Sequence, residues 1–189
     1  MKLLYINACV RSNSRTKALA DYLVKKFEAE VKEIRLDELK LQSLTAEMLE
    51  KRSLLIAAQK FDDKEFLLAH EFAEADVIVI AAPYWDMSFP AMLKLYIEHI
   101  NVIPLVFKYS VTGEIVPMCR AKKLYYVTTK GGFGPDEYGY GYIESLCKNL
   151  YGIKETVLIK AEGLDIQGND AKSTLDLARK EIDKLVIKN

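Results

Sequence analysis

Three short stretches of this chain carry the residue types from which a ligand site could be built. The first is "CVRSNSRTKA", Cys9 to Ala18, which offers the hydroxyls of Ser12, Ser14 and Thr16, the cations of Arg11 and Arg15, and the start of a helical pattern. Unpaired amides and the macrodipole make a helix start attractive to anions, and a hydroxyl-rich loop can wrap a phosphate monoester. The same residues also describe a serine-capped helix with two solvated arginines. Neither GxxxxGK[ST] nor GxGxxG occurs, so an ATP loop and the usual dinucleotide fingerprint have no support. The second stretch is "AAPYWDMSFP", Ala81 to Pro90, where Tyr84, Trp85, Met87 and Phe89 follow an apolar run. Such side chains can wall a flat aromatic ligand, or pack under the next helix, or meet a second subunit. The third is "TTKGGFGPDEYGYGY", Thr128 to Tyr142, whose paired Gly131 and Gly132 let backbone approach a ligand closely. An ordinary flexible loop or a lid reads the same way. Taken together the three supply one phosphate subsite and one slot for a planar ring with hydrogen-bonding edges, the description of FMN.

The elements that must hold these loops alternate in period. Continuous or alternating apolar runs at Lys2–Ala8, Glu30–Leu36, Asp76–Ala82, Lys122–Thr129 and Glu155–Ala161 read as five strands. Helical spacing places Leu19, Tyr22, Leu23 and Phe27 on one face, then Leu68, Phe72 and Ala75, then Leu93, Ile97 and Ile100. A helix is expected near Tyr142 to Leu150, and a closing one from about Asp170 to Val186 with Leu175, Ala178, Ile182 and Leu185 inward. Residues 37–58 read as loop with helical turns. Ile103 to Met118 stands outside the alternation and reads as a hairpin turning at Thr112 and Gly113, laid over the sheet's edge.

Alternating strands and helices imply an α/β fold with a parallel sheet covered on both faces. Five strands fit a doubly wound sheet of order 2-1-3-4-5 better than an eight-fold barrel. The whole chain, 1–189, is expected to be a single domain, and ligands are expected beyond the carboxyl ends of strands one, three and four, where the three loops lie.

Composition narrows the partners. Lys plus Arg and Asp plus Glu both number 27, so no basic excess speaks for nucleic acid. Cys9, Cys119 and Cys147 show no metal-ligand spacing with His70 or His99, so no metal is expected, and the cysteines read as small buried apolar groups of a cytoplasmic protein. The longest apolar run, around Val77 to Trp85, falls far short of the ~20 residues that span a bilayer, so no membrane insertion is expected.

The stretches "LLYINACVRSNSRT", "VIVIAAPYWDMSFPAMLKLYIEHI", "VTTKGGFG" and "GIKETVLIKAEGL" resemble the flavodoxin-like FMN-dependent NAD(P)H:quinone oxidoreductase and NADH-azoreductase family over nearly the full length. The resemblance implies a flavodoxin-like three-layer sandwich that binds FMN, takes electrons from NADH or NADPH, and passes them by ping-pong hydride transfer to quinones or azo compounds. It implies that Ser14, Arg15 and Thr16 hold the phosphate, with Cys9, Arg11 and Ser12 beside them. Pro83, Tyr84, Trp85, Asp86 and Met87 would run along the isoalloxazine, and Thr129, Lys130, Gly131 and Gly132 would contact its pyrimidine side. No side chain is expected to be catalytic itself. Lys130, Gly131 and Gly132 would give electrostatic support to the reduced ring, and a bulky residue at Gly132 would abolish FMN retention. The family implies a homodimer, with the 103–118 excursion covering the site or building the interface, and small aromatic electron acceptors. Asp86 stands where many members carry Asn, Lys130 where many carry Arg, and Cys9 where serine is common. An NAD(P)H-dependent FMN reductase and a non-enzymatic flavodoxin-type electron carrier are the alternative readings.

Overall fold

The computed structural model describes residues 1–187. Five parallel strands form its sheet: β1 (Lys2–Asn7), β2 (Glu30–Arg35), β3 (Val77–Ala81), β6 (Lys123–Thr129) and β7 (Glu155–Ala161), in the order β2-β1-β3-β6-β7. Numbering only the strands of this sheet, that is the expected 2-1-3-4-5. Strand β1 sits between β2 and β3, with Leu3 opposite Val31 on one side and Val77 on the other. The order reverses there, so the crevice opens beyond the carboxyl ends of β1 and β3.

Each central strand is apolar on both faces because both are covered. Leu4 and Ile6 of β1, Ile78 and Ile80 of β3, and Leu124 and Tyr126 of β6 face one layer with α4 (Leu67–Glu74), α5 (Ala91–Ile100) and α6 (Tyr142–Leu146). Their neighbours Leu3, Tyr5, Val79, Tyr125 and Val127 face the other, with α1 (Arg15–Val24) and α7 (Ala171–Asp183). The period of two along a strand divides one continuous apolar run between two cores.

Three elements differ from expectation. Residues 37–58 hold two helices, α2 (Leu36–Leu39) and the twelve-residue α3 (Ala46–Ala57), the latter capped by the Thr45 hydroxyl on the Met48 amide at 3.2 Å. Its inner face is borne by the buried Arg52, whose guanidinium donates to the Glu98 and His99 carbonyls at the end of α5, with Leu55 and Ile56 packed against the core, while Leu49 and Leu54 point to solvent. Helix α7 ends at Asp183, short of Val186, and α6 is flanked by wider π-turns at Glu137–Gly141 and Cys147–Tyr151. The hairpin is present as β4 (Phe107–Tyr109) and β5 (Ile115–Pro117), with Gly113 at φ +85° in its turn. Its base is tied near the amino ends of the sheet strands: the Arg120 amide bonds the Ala73 carbonyl at 2.8 Å, and Pro117 packs against Gly152.

Candidate functional site

Beyond the carboxyl ends of the strands, α1 starts where Ser14 leaves extended backbone (φ −62°, ψ 120°) and its hydroxyl accepts from the Lys17 amide at 3.2 Å. The first helical amides, at Arg15 and Thr16, have no acceptor within the helix and face outward along its axis. Thr16 is buried, and its hydroxyl meets that of Thr129 at 2.6 Å, tying the start of α1 to the end of β6. The backbone of the loop after β3 joins the same lattice through the Tyr84 amide and the Thr129 carbonyl at 3.2 Å.

Between these loops lies an open cleft of about 350 Å³ lined by Cys9, Val10, Arg11, Asn13, Ser14, Arg15, Thr16, Pro83, Tyr84, Trp85, Thr129, Gly131 and Asp165. Ten of the fifteen residues expected from sequence line it: Cys9, Arg11, Ser14, Arg15, Thr16, Pro83, Tyr84, Trp85, Thr129 and Gly131. Ser12, Asp86, Met87, Lys130 and Gly132 do not. Ser12 faces the neighbouring hollow beside Lys17 and Asp21. Asp86 and Met87 are the two corner residues of a tight turn, with left-handed φ of 48° and 68° between reciprocal Trp85–Ser88 backbone bonds of 2.8 and 2.9 Å. That twist aims both side chains at solvent.

Lys130 departs furthest from expectation. Its side chain is 1% exposed, and its ammonium bonds the Gly134 carbonyl and Asp136 at 2.6 Å each and Glu162 at 2.8 Å. Burial alone would lower its pKa, but the bonds to Asp136 and Glu162 outweigh it and hold the pKa above the ordinary lysine value. The charge is spent inside the protein. Gly132 is also not the crowded glycine: a Cβ there meets nothing within 4 Å, whereas at Gly131 it would lie 2.5 Å from an Asp165 oxygen. At Gly134 it would overlap the Tyr84 hydroxyl and sit 2.9 Å from Cζ.

Val10, Asn13 and Asp165 line the cleft without having been expected. Asp165 belongs to the loop after β7, which folds back along the glycine loop through Asp165 N–H to Gly131 O at 2.9 Å and Gly163 N–H to Gly132 O at 2.9 Å. Its carboxylate takes Arg15 Nη2 at 2.6 Å while Arg15 Nη1 bonds the Leu164 carbonyl at 3.2 Å. Arg11 therefore remains the uncommitted cation of the cleft among the described residues. Burial raises the Cys9 thiol to about 11, so it is neutral at pH 7 and no nucleophile.

The donor set fits FMN. Hydroxyls, helix amides and Arg11 supply the donors a phosphate needs, Pro83, Tyr84 and Trp85 supply an apolar wall, and the missing Cβ of Gly131 lets the Asp165 carboxylate pack against the glycine loop at the cleft's rim.

A family model described as a flavodoxin-like fold matches residues 1–186. The FMN-dependent NADH:quinone oxidoreductase of Clostridium beijerinckii is 33% identical over 187 residues, covering 94% of this chain and 93% of that one. The FMN-dependent NADH:quinone oxidoreductase 2 of Clostridium acetobutylicum is 33% identical over 186 residues, covering 92% of each. Among solved structures, an azoreductase from Bacillus anthracis str. Sterne shares the fold with a TM-score of 0.81 at 21% identity, covering 97% of both chains. An FMN-dependent NADH-azoreductase from Bacillus anthracis str. Ames Ancestor, solved in complex with FMN, gives 0.80 at 20% identity over 97% of this chain and 96% of that one.

Proposed function

We propose that this chain, which belongs to the flavodoxin-like fold family over residues 1–186, is an FMN-dependent NADH:quinone oxidoreductase that also accepts azo compounds. The observation that carries the reading is the convergence of three loops on one cleft, lined by a hydroxyl-capped helix start and by Pro83, Tyr84 and Trp85. Ser14, Thr16, Arg11 and the first amides of α1 hold the phosphate. Pro83, Tyr84 and Trp85 hold the ring from one side, and Gly131 lets the backbone come against its polar edge. When bound, FMN supplies the hydride chemistry, and the protein supplies position, shielding and charge. Cys9 is protonated at pH 7, so it takes no covalent part.

Trp85, Met87, Phe133 and Tyr138 remain exposed on loops around the cleft, and Tyr109, Val111 and Ile115 are exposed on the hairpin. Apolar surface of this extent suits a second copy of the chain. The homodimer reading rests on it, with the hairpin of one subunit reaching the partner's cleft rather than its own. Among the described residues no helix is long and apolar enough to cross a membrane, which is consistent with a cytoplasmic location.

Steady-state kinetics with NADH and a soluble naphthoquinone test the activity. Parallel double-reciprocal lines are expected, because donor and acceptor take turns at one site. Intersecting lines would contradict the shared site, and NADH loss independent of quinone would contradict the reaction.

A further inference from the structure

Lys130 and Lys160 alternate with Asp136 and Glu162 in a closed ring of charge. Lys130 Nζ meets Asp136 Oδ1 at 2.6 Å and Glu162 Oε1 at 2.8 Å, and Lys160 Nζ meets their other oxygens at 2.7 and 2.9 Å. Two ammonium groups and two carboxylates cancel, so the ring presents no formal charge to its surroundings. The third proton of Lys130 goes to the Gly134 carbonyl at 2.6 Å, which winds the glycine loop around the ammonium. Over the same ammonium lies the Tyr84 ring, 4.6 Å from nitrogen to centroid. The Tyr84 hydroxyl is buried without a hydrogen-bond partner and abuts Gly134. Packing and the cation beneath it therefore fix this ring, not a polar anchor.

We propose that Lys130 is a positioning residue: from inside a charge-neutral ring it clamps the loops after β3, β6 and β7 together and sets where Tyr84 stands against the cofactor, contributing geometry rather than a net charge at the flavin. The proposal rests on the FMN reading of the cleft. It replaces the expectation that Lys130 stabilises the reduced ring as a cation, since its charge is balanced before it can reach the cleft.

The test separates charge from geometry. Lys130→Met leaves one excess negative charge, whereas Lys130→Met with Glu162→Gln restores neutrality without restoring the support under Tyr84. Two readouts are taken on each variant. In the apoprotein, emission and anisotropy of Trp85, the sole tryptophan and the neighbour of Tyr84, report the order of that loop. In the FMN-loaded protein, the saturating rate of anaerobic flavin bleaching by NADH reports the reacting geometry.

The neutral double variant is expected to shift Trp85 emission to the red, lower its anisotropy, and slow bleaching about tenfold or more. Lys130→Arg is expected to recover both signals. Gly134→Ala displaces Tyr84 without changing any charge and is expected to reproduce the double variant. Recovery of wild-type signals in the neutral double variant, with Lys130→Met alone impaired, would overturn the proposal in favour of a charge role. If the Lys130 variants do not fold, Gly134→Ala decides: wild-type Trp85 emission and bleaching in that protein would also overturn it. A wild-type protein that holds no FMN would defeat the proposed function, while the apoprotein fluorescence would still read the clamp.

Discussion

Two glycines two residues apart should respond to the same substitution in opposite ways. At Gly132 a methyl group meets nothing within 4 Å, and the backbone lies outside the left-handed region. Alanine there narrows the unfolded ensemble and should stabilise by about 0.4–1 kcal/mol. At Gly134 the methyl overlaps the Tyr84 hydroxyl and lies 2.9 and 3.1 Å from two ring carbons. That ring has little room to retreat, because Lys130 lies across its face and the Tyr84 amide is bonded to Thr129. Overpacking against a held ring costs about 1–3 kcal/mol. The two variants should differ by roughly 1.4–4 kcal/mol, which in a domain of this size is about 3–16 °C in Tm. Thermal unfolding of the apoproteins followed by far-UV circular dichroism measures it. Adding Tyr84→Ala to Gly134→Ala should return about 1–3 kcal/mol of coupling, since the clash partner is gone. Equal melting temperatures, or a cycle without coupling, would refute the crowding argument.

Met87 sits at φ 68° with half its surface exposed, so Met87→Gly should raise the unfolding free energy by about 1 kcal/mol in urea titrations; a decrease would mean that the side chain makes stabilising contacts. Asp136 and Glu162 are desolvated, but Lys130 and Lys160 outweigh this and hold both carboxyls below their ordinary pKa values. Their contribution is therefore complete above about pH 4.5 and lost as pH falls through the lower folded values. Lys130 and Lys160 are held high, so theirs is complete below about pH 10 and lost as pH rises through the folded values. Denaturant midpoints against pH should show both limbs, and Asp136→Asn should flatten the acid one; an unchanged acid limb would remove the ring from the account. Burial raises Cys9 to about 11 and Cys119 and Cys147 to about 12, so Ellman's reagent at pH 8 should label the native protein slowly and the unfolded protein at once. Rapid native labelling would contradict their burial.

The sheet was legible because strands covered on both faces read as unbroken apolar runs, as in Val77 to Ala81. Helix α3 was not, because Arg52 faces inward while Leu49 and Leu54 face out, which blurs the helical period. The place of the cleft followed from the strand ends. Its detailed lining did not, because sequence position says little about side-chain direction. Lys130 adjoins Thr129 and Gly131, both of which line the cleft, yet turns inward to carboxylates six and 32 residues away. Asp165 was missed because its loop follows the edge strand β7 and reaches the cleft only by pairing back along Gly131 and Gly132. The left-handed turn at Asp86 and Met87 carries no glycine to announce it.

In the proposed function the three loops hold FMN where NADH can reduce it and a quinone can reoxidise it. The direct measurement is anaerobic mixing of the FMN-reconstituted protein with NADH, following the flavin absorbance, with a naphthoquinone added afterwards. With one equivalent of NADH per flavin the yellow colour is expected to bleach and then to return with one quinone consumed per flavin. A flavin that stays oxidised with both NADH and NADPH would contradict it and leave an electron carrier in its place.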